Sequence, residues 1–237
     1  MKFLVILIVL LPLGKVQGQG IALIELFTSQ GCSSCPAADK NLSEIIQQAE
    51  KDGKPVFGLS FHVDYWNYIG WKDPYSSKDY TARQQKYSRT LKSNSVYTPQ
   101  MIVNGNVEFV GSSKREAESA IAQALKQKSA FNIKIIDLLV QEDKMILKYS
   151  VTGNPTNEIL NLAIVERGVE NDVLLGENKG KKLHHDNVVR AFRSFPLQRQ
   201  GELELTIPSS NEMKTSAVLY IQDAAWKVIT ATSKSLH

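Results

Sequence analysis

Thr28-Ser29-Gln30-Gly31-Cys32-Ser33-Ser34-Cys35-Pro36 carries both cysteines of the 237-residue chain, separated by two serines. The apolar run Ile21 to Phe27 leads into it, and a polar, helix-compatible run, Ala37 to Lys51, leaves it. Strand, short loop, Cys-x-x-Cys, helix is an order in which a thiol pair does redox chemistry. A helix start has backbone N–H groups without partners and carries partial positive charge. A sulfur placed there is stabilised as thiolate, the reactive form. Pro36 has no N–H to lose, so it suits a first helical turn. Cys32 is expected to be the more exposed sulfur and the one that attacks, with Cys35 resolving the mixed disulfide.

Met1 to Gly18 reads as an export signal, with Lys2 as its positive start, an apolar stretch Phe3 to Leu13, and a cleavage site at Val16-Gln17-Gly18. The apolar stretch is too short to span a bilayer, and no later segment is apolar enough to cross one. The expected location is therefore periplasmic or secreted. Losing Lys2 and Lys15 lowers the formal net charge from +4 to +2, too small and dispersed to point to nucleic acid. The remaining length suits two domains of about 110 residues each, at 20–128 and 129–237. A single close cysteine pair is a poor staple, because a bridge across so short a loop removes little unfolded-state entropy.

In residues 20–128 the pattern predicts a strand to Phe27, a helix from Cys35 to about Lys51, and a second strand from Pro55 to His62. The next fifteen residues, Phe61 to Tyr75, hold six of the nineteen aromatics, which makes this a long aromatic loop at the carboxyl end of the second strand. A helix from Lys78 to Leu91 follows, then a short strand Met101 to Val103, an Asn104-Gly105 hairpin turn, a return strand Val107 to Val110, and a helix opened by the capping-box pattern Ser113 to Glu116. Three blocks, Glu25 to Pro36, Ser60 to Trp66 with Gly70 to Pro74, and Tyr97 to Gly105, resemble the family of secreted thioredoxin-like proteins called domain of unknown function 1223. The resemblance implies a thioredoxin-like fold and a redox class, and no particular substrate.

The thioredoxin-like reading makes Pro99 a cis proline beside the cysteines. Thr98 and Tyr97 then flank a groove where an extended substrate pairs with free backbone. Glu25, a carboxylate inside an apolar strand, is the candidate proton relay to Cys35, as in the buried acid that thioredoxins carry; the other reading is an outward-facing Glu at a strand edge. His62 and Asp64 either tune the thiols and bind substrate or anchor a loop. Trp66, with Tyr65, Tyr68 and Trp71, either walls a substrate groove or packs the loop down. An inert structural disulfide stays open for the cysteines, as does a metal site; copper held by Cys32, Cys35 and His62 is the form a binding chaperone would take.

From about Ala130 the pattern changes to roughly seven short strands with no convincing helix, which predicts a β-sandwich. The segment Gly176 to Arg190 also resembles the family and reads as a long hairpin loop whose Asn, His and Arg can reach the first domain. His184 and His185, being adjacent, face opposite ways on a strand. The expectation is thus an α/β thioredoxin-like domain followed by an all-β sandwich-like domain. The expected activity is exported thiol–disulfide exchange with protein thiols or disulfides as partners, and with an electron donor or acceptor that the sequence does not name. No dissociable cofactor is needed, since the electrons reside on the sulfurs.

Overall fold

A computed structural model describes residues 19–93, 95–207 and 214–236. The export signal expected at residues 1–18 lies outside the described residues. The apolar run forms β1 (Ala22–Thr28), every residue of which is buried. Then come α1 (Cys35–Lys51), β2 (Val56–His62), α2 (Lys78–Leu91), β3 (Gln100–Val103), β4 (Val107–Val110) and α3 (Lys114–Ala124). β1 pairs in parallel with β2 and antiparallel with β3, which pairs with β4.

Local chemistry sets the element ends. Pro36 occupies the first turn of α1, and Ser77 caps α2 by accepting the Asp79 N–H. Ser113 starts α3 without a side-chain cap bond, so the capping box read from the sequence does not close. At the β3–β4 turn Asn104 and Gly105 both have positive φ. The Asn104 side chain accepts from Leu23 N–H at 2.7 Å and donates to the Ile21 carbonyl at 2.9 Å, tying the turn to the start of β1. A Cβ on Gly105 would lie 2.0 Å from the Trp226 carbonyl oxygen, so glycine is required there by approach as well as by φ.

The remaining strands are β5 (Asn132–Gln141), β6 (Lys144–Thr152), β7 (Ile159–Arg167), β8 (Val169–Asp172), β9 (Lys182–His185), β10 (Val188–Pro196), β11 (Gln200–Thr206), β12 (Lys214–Gln222) and β13 (Val228–Ser235). They do not form a self-contained sandwich. The main sheet has eight strands in the order β13-β12-β7-β10-β2-β1-β3-β4, and so runs through both halves of the chain. The join is β10 against β2, where Ser60 N–H donates to the Asn187 carbonyl and the Asn187 amide donates to the Gly58 carbonyl.

Strand alternation divides the core. Ala22, Ile24 and Leu26 face α1 and α3. Leu23 and Phe27 face the other way, with Tyr80 and Tyr87 of α2, Val165 of β7 and Tyr220 of β12. Leu160, Leu162, Ile164, Leu219 and Ile221 meet a second, three-stranded sheet ordered β11-β6-β5. Both faces of β7 are therefore covered, which accounts for its near-continuous apolar sequence. Two-layer sheet packing does occur in the second half, but its larger layer belongs to the sheet that carries the cysteines.

Candidate functional site

Cys32 and Cys35 are joined by a disulfide, with Cα atoms 5.4 Å apart, and Cys35 is the first residue of α1. The expected exposure of Cys32 is corrected: Cys32 is 1% exposed and Cys35 0%. The cover comes from the second half. The segment between β8 and β9 lies over the cysteine loop, where the Asn178 amide donates to the carbonyls of both Gln30 and Cys32 at 2.9 Å. Beside it Glu177 accepts the Ser33 N–H at 2.9 Å, so a carboxylate occupies the positive end of α1. Ile69 fills the space between Gly31 and Gly176, whose added Cβ atoms would lie 3.1 and 2.7 Å from its Cδ1.

Gln30 is the hub beneath this cap. Its N–H donates to Asp73 at 2.8 Å and its side-chain oxygen accepts the Trp71 indole N–H at 3.1 Å. Its amide nitrogen donates to Asn171 at 3.1 Å and lies 3.3 Å from His185 Nε2. Three stretches distant in sequence, at Trp71, Asn171 and His185, converge on this one buried side chain. The sequence signal for Gln30 was its place inside the Cys-x-x-Cys block.

Glu25 is not the relay to Cys35. It has the same strand parity as Leu23 and Phe27, so it points to the α2 face, whereas Cys35 belongs to the helix on the opposite face. There Arg83 grips it with two bonds, Nε at 2.6 Å and Nη2 at 3.0 Å, and Tyr87 donates to it. Arg83 also donates to Tyr220 at 2.8 Å, and its guanidinium sits 4.7 Å from the centre of the Phe192 ring. Burial works against the Arg83 charge, but the Glu25 carboxylate, with Tyr220 and Tyr87 beside it, overcomes this and raises the guanidinium pKa. This cluster joins α2, β1 and β12.

His62 does not line a groove open to substrate. It is fully buried, with Nδ1 2.7 Å from Asp73 and its ring 4.9 Å from that of His185. Asp64 accepts the Thr81 hydroxyl at 2.6 Å and anchors its loop. The Thr98–Pro99 peptide is cis. Trp66 donates to the Thr98 hydroxyl at 2.7 Å, so ring and proline loop are tied together. The Tyr97 hydroxyl donates to Glu108 at 2.6 Å and its carbonyl accepts from Gln84, which turns this side chain toward β4. Of the Asn, His and Arg expected to reach across from 176–190, Asn178, His185 and Asn187 do so, and Arg190, which pairs with Glu166, also sets its guanidinium 4.9 Å from the centre of the Tyr75 ring. Among the described residues no group of three or more His, Cys, Asp or Glu is placed to hold a metal ion.

Asp73 makes a pH-dependent contribution. Burial alone would raise its carboxyl pKa, but the His62 ring and the N–H groups of Gln30 and Tyr75 overcome this and hold it low. A depressed folded-state pKa stabilises above the unfolded value of about 3.9 and is lost as pH falls through the folded value. Wild-type unfolding free energy should therefore fall on acidification below about pH 4, and Asp73→Asn should lose about 1–3 kcal/mol at neutral pH together with part of that acid slope, as read by denaturant titration at several pH values.

Similarity to known proteins agrees with this arrangement. Over 105 residues the chain is 27% identical to a thioredoxin from Methanocaldococcus jannaschii, covering 44% of this chain and 93% of that one. The crystal structure of protein AGR_C_4864 from Agrobacterium tumefaciens is 29% identical, with 92% of this chain and 96% of that chain covered at a TM-score of 0.63. A family model matching residues 23–222 shows that the chain belongs to the family described as protein of unknown function (DUF1223).

Proposed function

We propose that this protein is an exported thiol–disulfide oxidoreductase whose reactive sulfur works behind a cap. The observation that carries the reading is the Cys32–Cys35 bridge at the first turn of α1. Its sequence separation is 3, so as a staple it would stabilise the fold by only about 2 kcal/mol on loop-closure entropy. The same position favours a thiolate once the bridge is reduced. Cys32 attacks the partner sulfur, a mixed disulfide forms, and Cys35 displaces the partner. The partners are protein thiols or disulfides, with a separate electron donor or acceptor. Residues 1–18 direct the chain to the periplasm or the exterior.

Because Cys32 is covered, exchange requires the segment carrying Glu177 and Asn178 to lift. Local openings of this kind cost less than global unfolding. The direct test is trapping in the producing cells. Cys35→Ser in the full-length chain should accumulate disulfide-linked adducts on Cys32 that dithiothreitol releases, and Cys32→Ser/Cys35→Ser should accumulate none. Identical adduct patterns for the two variants, together with a wild-type bridge that dithiothreitol does not reduce in the native protein, would overturn the reading.

A further inference from the structure

The strands β8 and β9, with the turn between them, are built as an arm. They form a two-stranded sheet of their own, from Val169 opposite His185 to Asp172 opposite Lys182. The turn is closed by its own bonds. Val173 N–H donates to the Lys181 carbonyl at 3.0 Å, and Gly180 N–H donates to the Val173 carbonyl at 2.8 Å. Val169, Val173 and Leu183 are buried, but among the described residues they belong to none of the three apolar cores. The arm thus has an internal ladder and no share in the packing that fixes the main sheets.

What lies beneath the arm is polar and incompletely satisfied. Asn171 accepts from the Gln30 amide at 3.1 Å, and His185 lies 3.3 Å from the same nitrogen. His185 also comes within 3.4 Å of Asp39 on α1, and its ring meets that of His62 edge to face at 4.9 Å. Three atoms along this seam, Asp39 Oδ1, His62 Nε2 and His185 Nδ1, are buried with no hydrogen-bond partner among the described residues. A buried polar atom without a partner carries a cost that water removes. Lifting the arm admits water to the seam and recovers part of that cost, so the closed position is held less firmly than its burial suggests.

The two ends of the arm are suited to turning. Gly168 has φ +68°, and a Cβ there would meet no heavy atom within 4 Å. At the other end Asn187 is pinned to β2 through Gly58 and Ser60, so the chain can first pivot one residue earlier, at Asp186. Asp186 accepts the Gly168 N–H at 2.9 Å, which sets the two pivots side by side.

We propose that residues 169–185 are a hinged gate that turns as one body about Gly168 and Asp186, and that its closed position is the autoinhibited state of the cysteine pair. The inference rests on the thiol-exchange reading and supplies its regulation. Closed, the gate buries Cys32 and sets the Glu177 carboxylate on the Ser33 N–H, so a thiolate forming on the neighbouring Cys32 meets like charge. Open, the sulfur is accessible and the Ser33 N–H again favours a thiolate at the helix end.

A substitution at the pivot, which touches no cysteine, tests this. Gly168→Ala places a side chain on left-handed backbone, a strain that turning about Gly168 relieves. Gly53→Ala carries comparable strain, at φ +63° with no atom within 4 Å, in the α1–β2 turn outside the gate. In the full-length protein under native conditions, Gly168→Ala should speed reduction of the bridge by dithiothreitol about 10-fold, the factor that ~1.4 kcal/mol of closed-state strain gives. Gly53→Ala should leave the wild-type rate. Hydrogen exchange at the Val173 and Gly180 N–H groups should keep its wild-type protection in Gly168→Ala, because the arm swings without melting. A Gly168→Ala rate no faster than that of Gly53→Ala would overturn the gate. Loss of protection at both amides by the same factor as the rate gain would also overturn it, since the segment would then be melting. Cys32 adducts trapped with Cys35→Ser beside either result would leave the exchange reading standing. A bridge that dithiothreitol reduces in none of the three proteins would overturn that reading, and the gate with it.

Discussion

Arg83→Leu should destabilise the protein by about 3–5 kcal/mol, the usual cost of leaving one member of a buried ion pair without its partner. Glu25 is 1% exposed, and Arg83 supplies two of its hydrogen bonds. Without the guanidinium, Glu25 keeps, among the described residues, only the Tyr87 hydroxyl, too little to solvate a carboxylate away from water. The loss spreads, because Tyr220 and the stacked Phe192 lose the same partner. Against a total stability of about 5–15 kcal/mol, this is a large fraction. The charge argument has its own control. Glu25→Leu/Arg83→Leu removes both charges and should recover most of the loss, since apolar replacement of a buried pair is often neutral. Urea unfolding of the two variants checks this; a double variant no more stable than the single would show that the cost lies in packing.

Asn178→Ala should speed reduction of the wild-type disulfide by a small thiol about 30-fold. Its amide makes two neutral hydrogen bonds across the cap, to the carbonyls of Gln30 and Cys32. At about 1 kcal/mol each they hold the closed state by about 2 kcal/mol, and each 1.4 kcal/mol is a factor of ten in the open population. Glu177→Gln should act in the same direction, since it weakens the contact with the Ser33 N–H at the exposed edge. The measurement is the pseudo-first-order rate of bridge reduction under dithiothreitol, with unfolding free energy followed in parallel. An unchanged rate would mean that lifting the cap does not limit access.

What could be read from the chain was what is local. The apolar run into Cys-x-x-Cys, Pro36 at the helix start and Asn104-Gly105 at the turn each act within a few residues, and each is found where the pattern puts it. The family blocks added the site half as a unit. The partner of Glu25 lies 58 positions away, and the cap on Cys32 lies 146 positions away. No periodicity carries such pairings. A carboxylate in an apolar strand signalled that something polar must meet it, but strand parity, known only once Leu23 and Phe27 are seen to face α2, decided that the something was Arg83. The sandwich expectation failed for a related reason. The near-continuous apolar runs of β7 and β12 announce covered strands, but they are silent on whether the neighbour is a new sheet or an existing one.

The β10–β2 junction bears on how the molecule can be taken apart. Severing the chain near residue 128 would strip the outer flank of β2 of its only lateral neighbour there and leave Gly58 and Ser60 with bare amide and carbonyl groups along an apolar strand. Such a rim recruits other chains into fibrous or amorphous association. The cysteine-bearing piece is thus a poor candidate for independent expression, and its redox behaviour belongs to the intact polypeptide.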